Sequence, residues 1–101
     1  MDMVTVGLLA TLNAKPGQED ALAAFLSNAL PLAQAENETV AWFAIKIDEA
    51  TYGIFDVFPG PDGRQAHLDG PIAAALLAQA DELLSAPPDI KPIDILAAKL
   101  P

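Results

Sequence analysis

The chain has 101 residues, of which 52% are hydrophobic, and it contains no cysteine. This length suits one small domain over residues 1–101, and the absence of cysteine excludes disulfides and thiolate metal sites. The net charge is −9, and the five basic residues are scattered. These features argue against partners such as nucleic acid or an anionic membrane, because both attract clustered lysine and arginine.

The apolar residues indicate a protein without a membrane anchor and with a thin core. No apolar run approaches the roughly 20 residues that span a bilayer, and the N-terminus lacks the basic and apolar regions of a signal peptide, so a cytoplasmic location is expected. Much of the apolar content is alanine, which buries little surface per residue. A core of this kind gains stability when a second subunit covers one face.

The first third of the chain predicts a strand followed by a helix. Val4–Leu12 has apolar residues on both faces, as in a central strand, and Gly7 in its middle indicates that another group packs close to the backbone. Lys15-Pro16-Gly17 forms a turn into a helix with acidic residues in its first turn. We expect Pro31 to kink or end that helix, because proline removes a backbone donor.

The rest of the chain predicts a hairpin, two helices and a final strand. Thr39–Ile47 and Tyr52–Phe58 are rich in β-forming residues and are separated by a loop of hairpin length. A short helix is expected over Asp62–Leu68, and a longer one from Pro71 to the stop at Pro87-Pro88. Ile90–Leu100 then alternates as a strand, with Pro92 near a strand start or a sheet edge.

This order of elements is that of a ferredoxin-like α+β fold. A strand-helix-strand crossover, a hairpin, a helical return and a fourth strand make a split βαβ arrangement. It predicts a four-stranded antiparallel sheet with helices on one face. Strands with apolar residues on both sides require a cover for the other face, and a second copy of the chain is the simplest one.

Short motifs in this order resemble the antibiotic biosynthesis monooxygenase family. Lys15-Pro16-Gly17-Gln18-Glu19 is similar to the turn that leads into that family's first helix. Phe55-Asp56-Val57-Phe58 followed by Ala66-His67-Leu68 is similar to its Y-E-x-W segment and the A-H-L motif after it. The resemblance covers nearly the whole chain and implies a dimeric α+β barrel. It also implies an oxygenase that acts on quinols or polycyclic aromatics without a metal or a flavin.

The chain departs from the family pattern at positions that bear on activity. Phe58 stands where the family usually has tryptophan, and Asp56 stands where it usually has glutamate. The haem-degrading branch of the fold uses a histidine in the later helix and an asparagine in the first strand. Here the predicted later helix contains no histidine, and the predicted first strand contains no asparagine. His67 is the only histidine of the chain. Haem degradation is therefore not expected.

His67 is the candidate general acid or base, because imidazole is the side chain that ordinarily titrates near neutral pH. It would point into a cavity and relay a proton or bind a substrate hydroxyl. The alternative is a packing role, with a ring nitrogen bonded to a backbone carbonyl near Gly70. Arg64 lies three residues earlier on the same predicted helical face.

Asp56 and Arg64 are the other candidate catalytic residues. An acid on a strand that is otherwise apolar must be paired or turned toward a wet cavity, and Arg64, Lys46 and His67 are all possible partners. Arg64 is the only arginine, and its planar fork suits a carboxylate or phenolate ligand. A surface ion pair is the alternative for this arginine.

Trp42 and Phe58 are the candidate substrate-binding residues. The single tryptophan could stack on a flat aromatic ligand or fill a dimer core, and Phe58 could line the cavity. Phe43 and Phe55 are interpreted as packing residues. One histidine and no cysteine exclude a structural zinc site, and no glycine-rich phosphate loop is present, so no cofactor is expected.

Three functions fit this sequence. The first is a cofactor-independent monooxygenase, or a related isomerase-like catalyst, for a small electron-rich aromatic or quinol. An apolar pocket would exclude water, and His67 would move the phenolic proton with Asp56 or Arg64 orienting it. The second is a non-catalytic homodimer that binds a small apolar ligand or serves as an accessory subunit. The third is a purely structural dimer.

Overall fold

The computed structural model describes residues 3–101 as one antiparallel sheet and one layer of helices. The elements in chain order are β1 (Val6–Asn13), α1 (Glu19–Asn28), α2 (Leu30–Gln34), β2 (Ala41–Lys46), β3 (Thr51–Phe58), α3 (Pro61–Leu68), α4 (Pro71–Leu83) and β4 (Asp89–Asp94). The strands lie in the order β2-β3-β1-β4, and every neighbouring pair is antiparallel. The predicted ferredoxin-like α+β fold is confirmed.

Local sequence explains where the first helix begins and ends. Glu19 and Asp20 fill the first turn of α1, where the helix dipole favours negative charge. Leu22 and Leu26, four residues apart, are buried against the sheet. Pro31 is at the second position of α2, so the helical path breaks at Ala29 as predicted, because proline cannot continue the hydrogen-bond ladder of α1.

Alternation along the strands divides the sheet into two faces. On β3 the even-numbered residues face the helices, and Phe58 and Asp56 are among the most buried side chains of the described residues. The main core lies between this face and α1, α2 and α4. A smaller cluster of Val6, Leu8 and Phe58 packs against Leu68 of α3.

The odd-numbered residues of β2 and β3 lie on the opposite side of the sheet, which is an open apolar face. Phe43 on β2 and Phe55 on β3 stack with their ring centroids 6.3 Å apart, and the Phe43 side chain is 53% exposed. Ile45 and Ile47 extend this surface along the same strand and its exit. We call Phe43, Ile45, Ile47 and Phe55 the open sheet face.

Several element boundaries differ from the sequence prediction by one or two residues, and the ends of α4 and β4 differ by more. α4 ends at Leu83 rather than at Pro87-Pro88, because Leu84 turns to extended backbone and bridges to Ala14 beside the end of β1. β4 ends at Asp94 rather than at Leu100. Ile95 donates its N–H to the carbonyl of Thr5, and β1 begins one residue later, so it offers no further partner for the ladder.

Pro92 and Gly7 occupy the positions that the sequence predicts for them. Pro92 lies on the edge strand β4, opposite Leu8 of β1, where its missing N–H interrupts no second ladder. A Cβ on Gly7 would lie 2.6 Å from the carbonyl oxygen of Asp56. Across residues 3–101, no helix has both the length and the apolar character needed to cross a bilayer.

We expect Gly7→Ala to lower the free energy of unfolding by about 1–3 kcal/mol, because the clash is with backbone and cannot be relieved by a rotamer change. Chemical denaturation of the purified variant measures this change. Gly60→Ala is the control, since a Cβ there meets nothing within 4 Å. Equal stability of Gly7→Ala and wild type would contradict the close approach of β1 and β3.

Candidate functional site

The short helix α3 places His67 directly above β3. Gly60 and Pro61 start the helix immediately after β3, so the chain returns over the strand it has just left. His67 lies in the last turn, and its ring centroid is 5.5 Å from that of Phe58, with the rings tilted by 44°. The imidazole is therefore fixed by packing before its polar contacts are considered.

Both ring nitrogens of His67 face carboxylates. Nδ1 is 2.7 Å from Oε1 of Glu36, in the loop between α2 and β2, and Nε2 is 3.0 Å from Oδ2 of Asp56 on β3. The hydroxyl of Thr39 also donates to Glu36 Oε1, at 2.7 Å. We call Glu36, His67 and Asp56 the buried triad; it joins three separate segments of the chain.

The triad is largely hidden from solvent, and three of its carboxylate oxygens accept no hydrogen bond of good geometry from the described residues: Asp56 Oδ1, Asp56 Oδ2 and Glu36 Oε2. Asp56 is 1% exposed, His67 is 7% exposed and Glu36 is 15% exposed. The contact between His67 and Asp56 has the distance of an ion pair but departs from the angle of a good hydrogen bond. Within residues 3–101, no donor is aligned on Asp56 Oδ1 or on Glu36 Oε2. Buried acceptors of this kind usually bind a further donor.

The two carboxylates keep the imidazole protonated at neutral pH. Burial alone would lower the pKa of His67, but the contacts and negative charges of Asp56 and Glu36 outweigh it and raise the pKa to about 9. With both carboxylates ionised, the triad carries a net charge of −1. An imidazolium carries a hydrogen on each ring nitrogen, so it has no free nitrogen with which to accept a proton.

A small apolar cavity lies beside the triad. Its volume is about 110 Å³, and Asp56 and His67 supply its polar wall. The remaining lining is aliphatic and comes from three strands and the two later helices: Leu8, Ala10, Ile54, Leu68, Ile72, Ala73, Leu76, Leu77 and Ile90. Leu77 is 64% exposed and marks the opening. A protein cavity of about 150 Å³ can hold benzene, so this smaller one does not enclose a whole ring, and a ring bound here would extend into the opening at Leu77.

A second and larger depression, of about 460 Å³, is an open groove between α1, α2 and α4. Its walls are alanine, leucine, isoleucine and phenylalanine side chains together with the amides of Asn28 and Gln79. Because titratable groups with shifted pKa values mark chemical sites more reliably than size does, the smaller cavity is the candidate site.

The structure brings together only some of the residues that the sequence singled out. Asp56 faces His67, rather than Arg64 or Lys46. The guanidinium of Arg64 instead donates to the backbone carbonyls of Gly7 and Ile93, at 3.4 and 3.3 Å. Arg64 therefore ties α3 to β1 and β4, away from the cavity.

Trp42 and Phe58 lie near the triad without lining the cavity. Trp42 is opposite Asp56 in the ladder and packs against the main core on the helix side of the sheet. The register turns the Trp42 side chain toward the helices and away from the open sheet face. Phe58 is fully buried against the imidazole.

Glu36 is the residue of the triad that sequence reasoning missed. It lies in the loop between α2 and β2, and it is 31 positions from His67 in the chain. The one local signal is Thr39, whose hydroxyl holds the Glu36 carboxylate three residues earlier. Within residues 3–101, no group of three potential ligands converges on a metal position, since the imidazole separates the two carboxylates.

Comparisons with solved structures identify the fold class of this chain. Rv0793 from Mycobacterium tuberculosis matches 93% of this chain and 97% of its own, with 21% identity and a TM-score of 0.81. A protein from Chloroflexus aurantiacus, provisionally named an antibiotic biosynthesis monooxygenase, matches 94% of this chain and 96% of its own, with 23% identity and a TM-score of 0.73. These likenesses establish the shared fold, and the resemblance to antibiotic biosynthesis monooxygenases holds at that level.

A third structure is much more similar. The NE2512 protein from Nitrosomonas europaea, of unknown function, is 57% identical over all of this chain and 98% of its own, with a TM-score of 0.97. The chain belongs to the same family as this protein. Neither a family model nor a curated protein matches the sequence.

We expect the Nε2 and Nδ1 resonances of His67 to titrate together with a midpoint near pH 9 in an NMR experiment. Because this pKa lies above the ordinary value of 6.5, the protonated His67 stabilises the folded protein. Its contribution to the free energy of unfolding is complete below pH 6.5 and is lost as the pH rises through 9. Glu36→Gln removes one of the two charges and lowers the midpoint by about one unit.

Glu38→Gln is the matched control, because Glu38 is in the same loop but is exposed. Its titration curve should coincide with that of the wild type. A wild-type midpoint near 6.5 would show that the imidazole is not held between two carboxylates in solution.

Proposed function

We propose that this protein is a homodimeric, cofactor-independent monooxygenase that takes one small hydroquinone-type ring into the 110 Å³ cavity. The observation that carries the proposal is the Asp56 carboxylate, which is 1% exposed and forms part of the cavity wall. Its Oδ1 atom has no aligned donor within the described residues. A buried acceptor at the end of an apolar cavity suits a hydroxyl group on an otherwise apolar ring.

Charge favours a neutral ligand over an anionic one. The triad carries a net charge of −1 when the imidazole is protonated, and the guanidinium of Arg64 is engaged with backbone carbonyls rather than with the cavity. A carboxylate ligand would therefore meet uncompensated repulsion in a setting of low dielectric. A phenol or a hydroquinone enters uncharged and can donate a hydrogen bond to Asp56.

The chain's residues can support the first step of such a reaction. Asp56 accepts the hydroxyl proton of the hydroquinone, and the adjacent His67 imidazolium offsets the negative charge that develops on the ring oxygen. The electron-rich ring then reduces dioxygen: one oxygen atom is added to the ring and the other leaves as water, so that hydroquinone and dioxygen yield a hydroxyquinone and water. The aliphatic wall keeps bulk water from the intermediate.

This assignment gives the proton-accepting role to Asp56 rather than to His67. Both nitrogens of the imidazole are directed at carboxylates and its pKa is about 9, so at neutral pH it acts as a fixed positive charge. His67 therefore holds Asp56 in place and supplies a positive charge beside it, and Glu36 holds His67 in place. Polycyclic aromatics exceed the cavity, which limits the proposal to single-ring substrates.

The homodimer in this proposal rests on the open sheet face. Phe43, which is exposed, stacks on the half-buried Phe55, on a sheet whose other face is already covered by helices. An apolar sheet surface of this kind is normally covered by a partner. Its residues lie on the neighbouring strands β2 and β3 and at the exit of β2, and an apolar sheet surface of this kind suits a second copy packed face to face.

A second candidate function is ligand binding without catalysis, and one observation favours it. All three triad side chains are mutually engaged, which is also the arrangement of a buried structural ion cluster. In that case the cavity binds the same small phenols without any consumption of dioxygen. The experiment below separates the two functions.

Oxygen uptake with a panel of single-ring hydroquinones tests the reaction. We expect Asp56→Asn to reduce the rate at least 100-fold, because the amide keeps the shape of the side chain but is a far weaker base. An oxygen electrode measures the rate, and calorimetric binding of the same compounds shows whether the ligand still enters. Binding by the wild type without any uptake would reject the oxygenase and favour the binding protein.

Asp89→Asn is the matched control for this substitution. Asp89 is an exposed carboxylate on β4 that pairs with Lys91 at 3.5 Å, so the same chemical change there should leave the rate unchanged. Rates that fall equally in both variants would show a general effect of charge on the fold rather than a role for Asp56.

Phe43→Asp tests the dimer. Each chain has a mass of 10.5 kDa, and we expect the wild type to sediment as two chains. A charge in the middle of the open sheet face should weaken association about 100-fold, since central aromatic residues dominate such interfaces. Leu30→Asp is the control, because Leu30 is an exposed leucine on the helical side. A wild-type monomer at micromolar concentration would contradict the proposed assembly.

A further inference from the structure

A buried donor without a partner lies next to the Asp56 carboxylate. The indole nitrogen Nε1 of Trp42 is buried and has no acceptor within the described residues. Asp56 Oδ1, which has no aligned donor, is on the residue directly opposite in the β2–β3 ladder. The indole N–H can only donate a hydrogen bond, whereas a carboxylate oxygen accepts one.

The ladder geometry brings the two side chains close together. Ile47 donates its N–H to the carbonyl of Thr51, the residue opposite it. Hydrogen-bonded and non-hydrogen-bonded pairs alternate along an antiparallel ladder, so the odd-numbered residues of β2 are in hydrogen-bonded pairs and the even-numbered ones are not. Trp42 and Asp56 therefore form a non-hydrogen-bonded pair, the type in which facing side chains approach more closely. Their Cβ atoms are expected about 4.5–5.5 Å apart on the same face of the sheet.

The other acceptor of the triad is at a different place. Glu36 binds the opposite nitrogen of the imidazole, Nδ1, and its Oε2 atom lies 3.5 Å from the position of a Cβ on Gly70, at the junction of α3 and α4. Asp56, by contrast, lies between Trp42 on β2 and Leu8 on β1, and Leu8 lines the cavity. Asp56 is therefore the triad carboxylate directly adjacent to both the indole and the cavity.

From these positions we infer that Trp42 Nε1 and Asp56 Oδ1 form a binding site for one hydroxyl group, which accepts from the indole and donates to the carboxylate. Leaving both atoms unpaired costs free energy, and a single hydroxyl satisfies both because it is a donor and an acceptor at once. A carbonyl or an ether could satisfy only the indole. The hydroxyl comes from a bound water in the free protein. In the complex it comes from a phenol whose ring is in the cavity and whose hydroxyl extends past the Asp56 wall to the indole, since Trp42 is not itself a lining residue.

This inference depends on the proposed function for the identity of its ligand, and it adds a selection rule to it. A phenol would replace the bound water and form both hydrogen bonds, whereas its methyl ether has no hydrogen to donate to Asp56 and would leave the water in place. Trp42 thereby becomes a specificity-determining residue through its N–H group rather than through stacking.

NMR of the single indole N–H tests the inference directly, since Trp42 is the only tryptophan. In the free protein we expect slow exchange with solvent and a cross-peak to a bound water. Phenol should shift the indole signal and abolish that cross-peak, while anisole should leave both unchanged. An indole N–H that exchanges rapidly, shows no bound water and does not respond to phenol would overturn the inference.

Binding to Trp42→Phe provides a second measurement. We expect the affinity for phenol to fall about 10-fold, the loss of one hydrogen bond, while the affinity for anisole is retained. An equal loss for both ligands would show that the indole acts only by packing and would overturn the inference. The wild-type NMR measurement decides the question even if this variant does not fold.

The outcomes for the two proposals are separable. Phenol that shifts the indole signal, in a protein that consumes no dioxygen with any hydroquinone, rejects the oxygenase and leaves the hydroxyl site standing. If the protein consumes dioxygen but the indole signal does not respond to phenol, the oxygenase stands and the hydroxyl site is rejected.

Discussion

The arrangement of this molecule depends on one buried interaction, the imidazolium of His67 held between Glu36 and Asp56. It connects the loop after α2, the end of α3 and the middle of β3, so it ties the helical layer to the sheet at a single point. Removing one partner of a buried ion pair typically costs 3–5 kcal/mol, because the remaining charge is left without compensation. Among residues 3–101, Asp56 and His67 of this cluster are the titratable groups of the cavity wall.

The register of β3 decides what each side of the sheet can do. Asp56 faces the helices and the cavity, while its neighbour Phe55 faces outward and stacks on Phe43. A slip of one residue would exchange the two sides, placing a carboxylate on the open sheet face and a phenyl ring against the imidazole. The β2–β3 ladder and the close approach at Gly7 both fix this register.

Function in this family has to be argued from the site, because the fold is shared by proteins that are less than 25% identical. The site here is small, aliphatic and negatively charged overall, with a protonated imidazole as its internal counter-charge. These properties favour a neutral single ring with a hydroxyl group. They disfavour large or anionic aromatics, although the fold itself would not exclude them.

The sequence alone determined the features that depend on neighbouring residues. The order of strands and helices, the helix break at Pro31 and the close backbone approach at Gly7 follow from local sterics and hydrophobic periodicity. It also identified His67 and Asp56 as the residues to examine. Only the tertiary structure decided that Asp56 faces His67 rather than Arg64 or Lys46, and that Glu36 completes the cluster. The physical reason is that a charged side chain takes the partner that packing brings within about 3 Å, and separation along the chain does not encode that distance.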